Sequence, residues 1–186
     1  MSASNVVMMS KSGRHEPLAN AFRDHHRRVF KAAFRITGSA SDAEDILQSV
    51  FLRILKRGDP SRTLDLGRDP ASYLCRAAIN AGLDVLRSRK RAPSADLAQM
   101  PEASGDEVSI ADEVEQVKLR TRLRAALSVL DPRAAEVIAL RYFEGYGNVE
   151  IADMLDTSAS VIAVTLHRAR QRLKAELGVL EELNHE

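Results

Sequence analysis

Two clusters of cations are the residues of this chain whose types and spacing point to chemistry. That chemistry is charge neutralisation rather than bond making. Arg87, Arg89, Lys90 and Arg91 fall within five consecutive positions, and Arg168, Arg170, Arg172 and Lys174 alternate along a second stretch. Basic clusters of this kind are the electrostatic footprint of a polyanion partner such as nucleic acid. The residues that could make or break bonds do not assemble. Glu182-Leu183-Asn184-His185 has the Glu-x-x-His spacing of a carboxylate-bridged metal site, but it occurs once, and such a site needs two copies and further carboxylates. His25 and His26 are adjacent and diverge on a helix, and Glu144-Gly145-Tyr146-Gly147 lacks the Lys of a phosphate-cradling loop. Cys75, the single cysteine, lies between Leu74 and Ala78 at an apolar helical position and reads as a small buried hydrophobe. No catalytic residue, metal, cofactor or small-molecule substrate is therefore expected.

The elements that position the second cluster run from Asn148 to Lys174. Ile151, Ala152 and Leu155 mark the inner face of one short helix, and small Ala152 permits a close helix crossing. Asp156-Thr157-Ser158 breaks the pattern, and Ser158 is placed to cap a second helix with inner residues Val161, Ile162 and Leu166. This is a helix-turn-helix that delivers cations toward phosphate. The alternative is a helical hairpin with a solvated basic end, which the helix dipole also favours.

Further elements follow the same signals. A helical period runs from Pro17 to Thr37 through Leu18, Phe22, Val29, Phe30, Ala33 and Phe34, and Gly38 stops it. Ser41-Asp42-Ala43-Glu44 reads as a capping box for a helix with a stripe of Ile46, Leu47, Val50, Phe51, Ile54 and Leu55. After a turn-rich loop at 58–69, Asp69-Pro70 opens a helix with an inner face of Tyr73, Leu74, Ala77, Ala78, Ala81, Val85 and Leu86. A second block starts near Ala111, with Val114, Val117, Leu119, Leu123, Ala126, Leu127 and Leu130 at helical intervals. Asp131-Pro132 then repeats the start signal.

Composition sets the frame. With 186 residues, 45% hydrophobic and 4% aromatic, the chain suits a helical globular protein. The fold expected is all-α, with two small helical domains, an N-terminal bundle and a C-terminal helix-turn-helix domain, joined by a flexible linker. Residues 1–16 read as a flexible arm, 17–91 and 112–178 as the domains, 92–111 as the linker and 179–186 as a tail. Between Pro93 and Val117 lie seven acidic residues and no Lys or Arg, so the formal net charge of +1 conceals strong segregation. No run reaches the roughly 18 apolar residues of a membrane span, and no signal peptide is evident, so a cytoplasmic protein without membrane insertion is expected.

Three motifs carry a family resemblance. The first is Asp42-Ala43-Glu44-Asp45-Ile46-Leu47-Gln48-Ser49-Val50-Phe51-Leu52-Arg53-Ile54-Leu55. The second is Tyr73-Leu74, Arg76 to Asn80 and Asp84 to Arg87. The third joins Leu130-Asp131-Pro132-Arg133, Leu140-Arg141-Tyr142, Ile151-Ala152 and Leu166-His167-Arg168-Ala169-Arg170. In this order they resemble the extracytoplasmic-function sigma factors of bacterial RNA polymerase, a branch of the sigma-70 superfamily, over nearly all of residues 18–177. The resemblance implies a transcription initiation factor, not an enzyme, whose partners are core RNA polymerase, promoter DNA and an anti-sigma factor.

The resemblance also distributes roles. In the N-terminal domain, similar to sigma region 2, it assigns core-polymerase binding to Asp42, Glu44, Asp45, Gln48, Phe51 and Leu52. Minus-ten recognition and melting fall to Asn80, Asp84, Arg87, Arg89, Lys90 and Arg91, with Ser61 and Arg62 in the preceding loop. In the C-terminal domain, similar to region 4, it assigns minus-thirty-five recognition to Ser158, Ser160, Val161, Thr165, His167, Arg168, Arg170 and Arg172. The residues permit this. Asp42, Asp45 and Gln48 would face outward from α-helical packing, either toward a basic partner or simply toward water. Asn80, Asp84 and Arg87 share a helix face, and Asn80 could bond a base edge or a neighbouring helix end. Opening a duplex requires capture of unstacked bases, and the loop at 58–69 has no aromatic to stack on them.

Two departures matter. Family members often carry Gly-Thr-Val-Lys-Ser-Arg where this chain has Ser160-Val161-Ile162-Ala163-Val164-Thr165, so two cations are missing, and the usual turn Gly is Asp156. Asp tolerates the left-handed region better than most residues. The rival reading consistent with these losses is a sigma-like module that binds an anti-sigma factor without initiating transcription.

Overall fold

Short polar side chains begin most of the helices. In the computed structural model, which describes residues 4–56, 69–91 and 110–183, α1 spans Ser4–Thr37, α2 Ala40–Lys56 and α3 Pro70–Arg91; α4 spans Ile110–Ser128, α5 Pro132–Tyr142, α6 Asn148–Met154 and α7 Ala159–Leu183. No strand occurs among the described residues, so the all-α expectation holds. Both Asp-Pro starts act as read. Asp69 accepts from the Ala71 N–H at 3.0 Å and from the Ser72 hydroxyl at 2.9 Å, and Asp131 accepts from the Arg133 N–H at 2.9 Å.

Three boundaries differ from the sequence reading. The cap of α2 is Ser39, whose Oγ accepts from the Asp42 N–H at 3.3 Å, and Ser41 lies exposed inside the first turn. Gly38, at φ 71°, ends α1 and reverses the chain at once, so the cap falls two residues earlier than the Ser-x-x-Glu spacing indicates. α1 begins at Ser4 rather than Pro17. Gly13 and Pro17 lie within it. α7 continues to Leu183, through most of what read as a tail.

α1, α2 and α3 pack together around Val29, Ile36, Ile54, Leu74, Ile79 and Leu83, each at most 2% exposed. A Cβ at Gly82 would lie 2.9 Å from Ile36 Cγ2, so glycine there lets α3 cross α1 at close range. α5, α6 and α7 pack around Leu140, Ile151 and Ile162. Cys75 is fully buried, as read, and burial pushes its thiol up to about 11. Leu119, which recurs at a helical interval in the sequence, is exposed.

α3 packs on α4 and α5 as well as on α1 and α2, and one apolar core runs through both halves. Most of the stretch read as a linker, 92–109, lies outside the described residues.

Candidate functional site

The outer face of α2 combines charge with an open apolar groove. Packing buries Ala43, Ile46, Val50 and Ile54, which turns Glu44, Asp45 and Gln48 to solvent. Beside them, Phe51 forms the floor of a groove of about 780 Å³ between α1 and α2, with Leu18, Phe22, Leu52 and Leu55 in its walls. Phe22 falls on the helical period of the sequence, yet it is 44% exposed, and Leu52 is 51% exposed. Phe22 meets Phe51 edge to face at 5.0 Å and stacks on His26 at 5.1 Å. Asp42 departs from the outward group. It is mostly buried and bound by Arg89 at 2.8 Å, because α3 ends beside the start of α2.

The cations at the end of α3 are therefore unequal. Arg89 is paired with Asp42 across the helices, and Arg87 donates to Asp84 at 3.0 Å, whereas Lys90 and Arg91 are exposed. Asn80 lies one turn before Asp84, but its amide donates to Glu136 Oε1 of α5 at 2.8 Å. Ser61 and Arg62 lie outside the described residues.

Glu136 is the centre of the joint between the halves and was not singled out in the sequence. It is 5% exposed, accepts from Arg76 Nε at 2.6 Å and from Asn80 on the same oxygen, and takes Arg133 Nη1 on the other at 3.3 Å. The two guanidiniums also reach back to helix ends, Arg76 to the Met154 carbonyl at 2.8 Å and Arg133 to the Leu155 carbonyl at 2.7 Å. A second set surrounds Tyr146. Its hydroxyl receives Arg28 Nη2 at 2.7 Å and lies 3.1 Å from the Ser72 hydroxyl, and burial pushes its phenol up. Arg35 donates to Glu144 Oε1 at 3.0 Å. Burial would raise the Asp69 carboxyl, but hydrogen bonds from Ser72 and Ala71 and the Arg28 charge hold it below the usual range. One signal for the joint was available: Glu136 is a lone acid in the otherwise apolar run Ala134 to Leu140.

The helix-turn-helix forms as spaced. Ile151, Ala152, Leu155, Ile162, Leu166, Ala169 and Leu173 are buried, and Asp156 turns the chain at φ 49°. Ser158 caps α7, accepting from the Val161 N–H at 3.3 Å. Val161 is not on the inner face; it is 51% exposed, on the outer surface with Ser158, Ser160, His167, Arg168 and Arg170. Thr165 is half-buried, and Arg172 bonds Glu176 at 2.8 Å.

Comparison with known proteins identifies the family of this helical, helix-turn-helix-bearing chain. Residues 21–92 match the Sigma-70 region 2 family and residues 120–173 match Sigma-70, region 4. The RNA polymerase sigma-E factor of Streptomyces avermitilis is 33% identical over 149 residues, covering 80% of this chain and 78% of that protein. The ECF RNA polymerase sigma factor SigM of Mycobacterium tuberculosis is 31% identical over 159 residues, covering 86% and 76%. SigW of Bacillus subtilis is 24% identical over 179 residues, covering 92% and 94%. The crystal structure of the M. tuberculosis extracytoplasmic-function sigma factor SigJ aligns at 24% identity and a TM-score of 0.47, over 83% of this chain and about half (52%) of that one. The chain belongs to the extracytoplasmic-function sigma factors of the sigma-70 family. It is a transcription initiation factor and not an enzyme. Among the described residues no helix is long and apolar enough to cross a membrane.

Proposed function

We propose that the chain binds core RNA polymerase through α2, directs it to promoters with both halves, and takes part in melting the DNA. The carrying observation is the face of α2, where exposed Glu44, Asp45 and Gln48 adjoin an open groove walled by Phe22, Leu52 and Leu55. An amphipathic helix of the polymerase with basic and aliphatic residues complements such a face, the groove supplying affinity and the acids orientation. Residues 17–91 serve core binding and the minus-ten element; residues 112–178 serve the minus-thirty-five element.

Melting adds a requirement. Asn80 meets a base edge only after its amide leaves Glu136, so engagement of the promoter entails parting of α3 from α5. Lys90 and Arg91 are then the cations available at once to phosphate, and Arg87 and Arg89 follow by exchanging Asp84 and Asp42 for the backbone. An anti-sigma factor would compete for the same α2 groove.

Core polymerase with the chain should initiate from promoters selected out of a randomised library. Thymines near the start site should become permanganate-reactive. A chain that binds core polymerase yet supports neither initiation nor strand opening on any selected template would instead be a module for anti-sigma binding.

A further inference from the structure

The outer face of α7 is aliphatic where a recognition helix enters the groove. Val161 and Val164 are 51% and 50% exposed, although their helix buries Ile162, Leu166 and Ala169. Single exposed aliphatics are ordinary on a protein surface. These two stand three residues apart, with Thr165 and Arg168 continuing the row at helical spacing, so they form one stripe that ends in a cation.

The polar atoms nearby are already engaged. The Thr165 hydroxyl donates to the Val161 carbonyl at 2.8 Å, which leaves its methyl as the group available outward. Ser158 and Ser160 lie 2.8 Å apart, oxygen to oxygen, and Ser158 also caps the helix. From Thr157 to Leu166 there is no Arg, Lys, Asn or Gln. The bidentate bonds that identify guanine or adenine therefore cannot come from this part of the helix. In the major groove of unmodified DNA the one apolar group is the C5-methyl of thymine.

We infer that Val161, Val164 and the Thr165 methyl read thymine methyl groups, with Arg168 fixing the helix on the adjacent phosphate. This rests on the minus-thirty-five role proposed above and specifies its chemistry. Val161 and Val164 are separated by about 4.5 Å along the helix axis, close to one base step, so the stripe spans two or three neighbouring base pairs. DNA is favoured over a protein partner by charge. Between Ala159 and Ala175, α7 carries Arg168, Arg170, Arg172 and Lys174 and no acid.

The test uses polymerase holoenzyme assembled with the full chain and duplex libraries randomised over the upstream element, synthesised with thymine or with uracil, which pairs identically but lacks the methyl. Thymine-rich upstream elements should be enriched from the thymine library, and replacing thymine by uracil should weaken binding about fourfold per contacted methyl. V161S/V164S/T165S, which removes all three aliphatic contacts, should bind thymine and uracil templates alike. Upstream selection without methyl dependence would overturn the inference and leave the minus-thirty-five role standing. An absence of any upstream selection would overturn both. Methyl discrimination persisting in V161S/V164S/T165S would also overturn it. So would loss of core-polymerase binding in that variant with DNA preference intact, which would place the stripe against protein.

Discussion

The joint between the halves and the outer faces of α2 and α7 invert each other's chemistry. At the joint, side chains that sequence analysis would send to water are used internally: Glu136 bonds Arg76 and Asn80, and Arg28 bonds Tyr146. On the outer faces, side chains that folding would bury are left in the open: Phe22, Leu52, Val161 and Val164. The difference separates surfaces satisfied within the chain from surfaces that gain by meeting a partner. Exposed apolar area beside fixed charge is the ordinary anatomy of an interface.

The comparison breaks most visibly at Glu136. Glu136→Ala removes the acceptor shared by Arg76, Asn80 and Arg133, and should lower stability in urea by about 2 kcal/mol. The loss stays below that of a fully enclosed ion pair because the two arginines keep contact with water. An unchanged midpoint would mean that the joint contributes nothing to folding. On the open side, Asp45→Lys with Gln48→Lys should cut core-polymerase affinity about tenfold with helicity unchanged, as titration against fluorescently labelled protein would read. Equal affinity would remove α2 from the interface.

Smaller effects sharpen the picture. Neutralising Lys90 and Arg91 together should reduce the salt slope of promoter binding by about two, near one per lost contact, whereas Arg87 and Arg89 must first give up carboxylates and should contribute less. Ser39→Ala should cost about 1 kcal/mol, and Ser41→Ala almost nothing, in thermal or urea unfolding. The Asp69 carboxyl is held low in the folded state, so its contribution is present at neutral pH and lost as pH falls through that depressed value. The raised Cys75 thiol acts at the other end: its contribution holds below the ordinary thiol range and is lost as pH rises toward about 11. Native protein at pH 8 should accordingly resist a thiol reagent until it is unfolded.

Much of this was legible in the sequence because local signals sufficed. The two Asp-Pro starts, the Ser158 cap and the left-handed Asp156 each depend on a few neighbouring residues. Errors arose where partners were distant or where two registers fit. Val161 and Ile162 are adjacent apolar residues at the start of α7, and periodicity alone does not say which faces inward; packing against α6 selects Ile162. Asp42 read as outward because Arg89, 47 positions away, gives no local sign of pairing with it. The joint was missed for the same reason, since a buried carboxylate at Glu136 acquires meaning only when α3 brings Arg76 and Asn80 to it.

The central claim, that the open faces are the working surfaces while the joint is released, is tested most directly by hydroxyl-radical footprinting of the chain free and bound to core polymerase and promoter. The account predicts that the exposed Phe22 and Leu52 become protected and that Tyr146, 9% exposed in the free chain, becomes more reactive as the halves part. Unchanged labelling of Phe22 and Leu52, with Tyr146 as shielded as before, would contradict it.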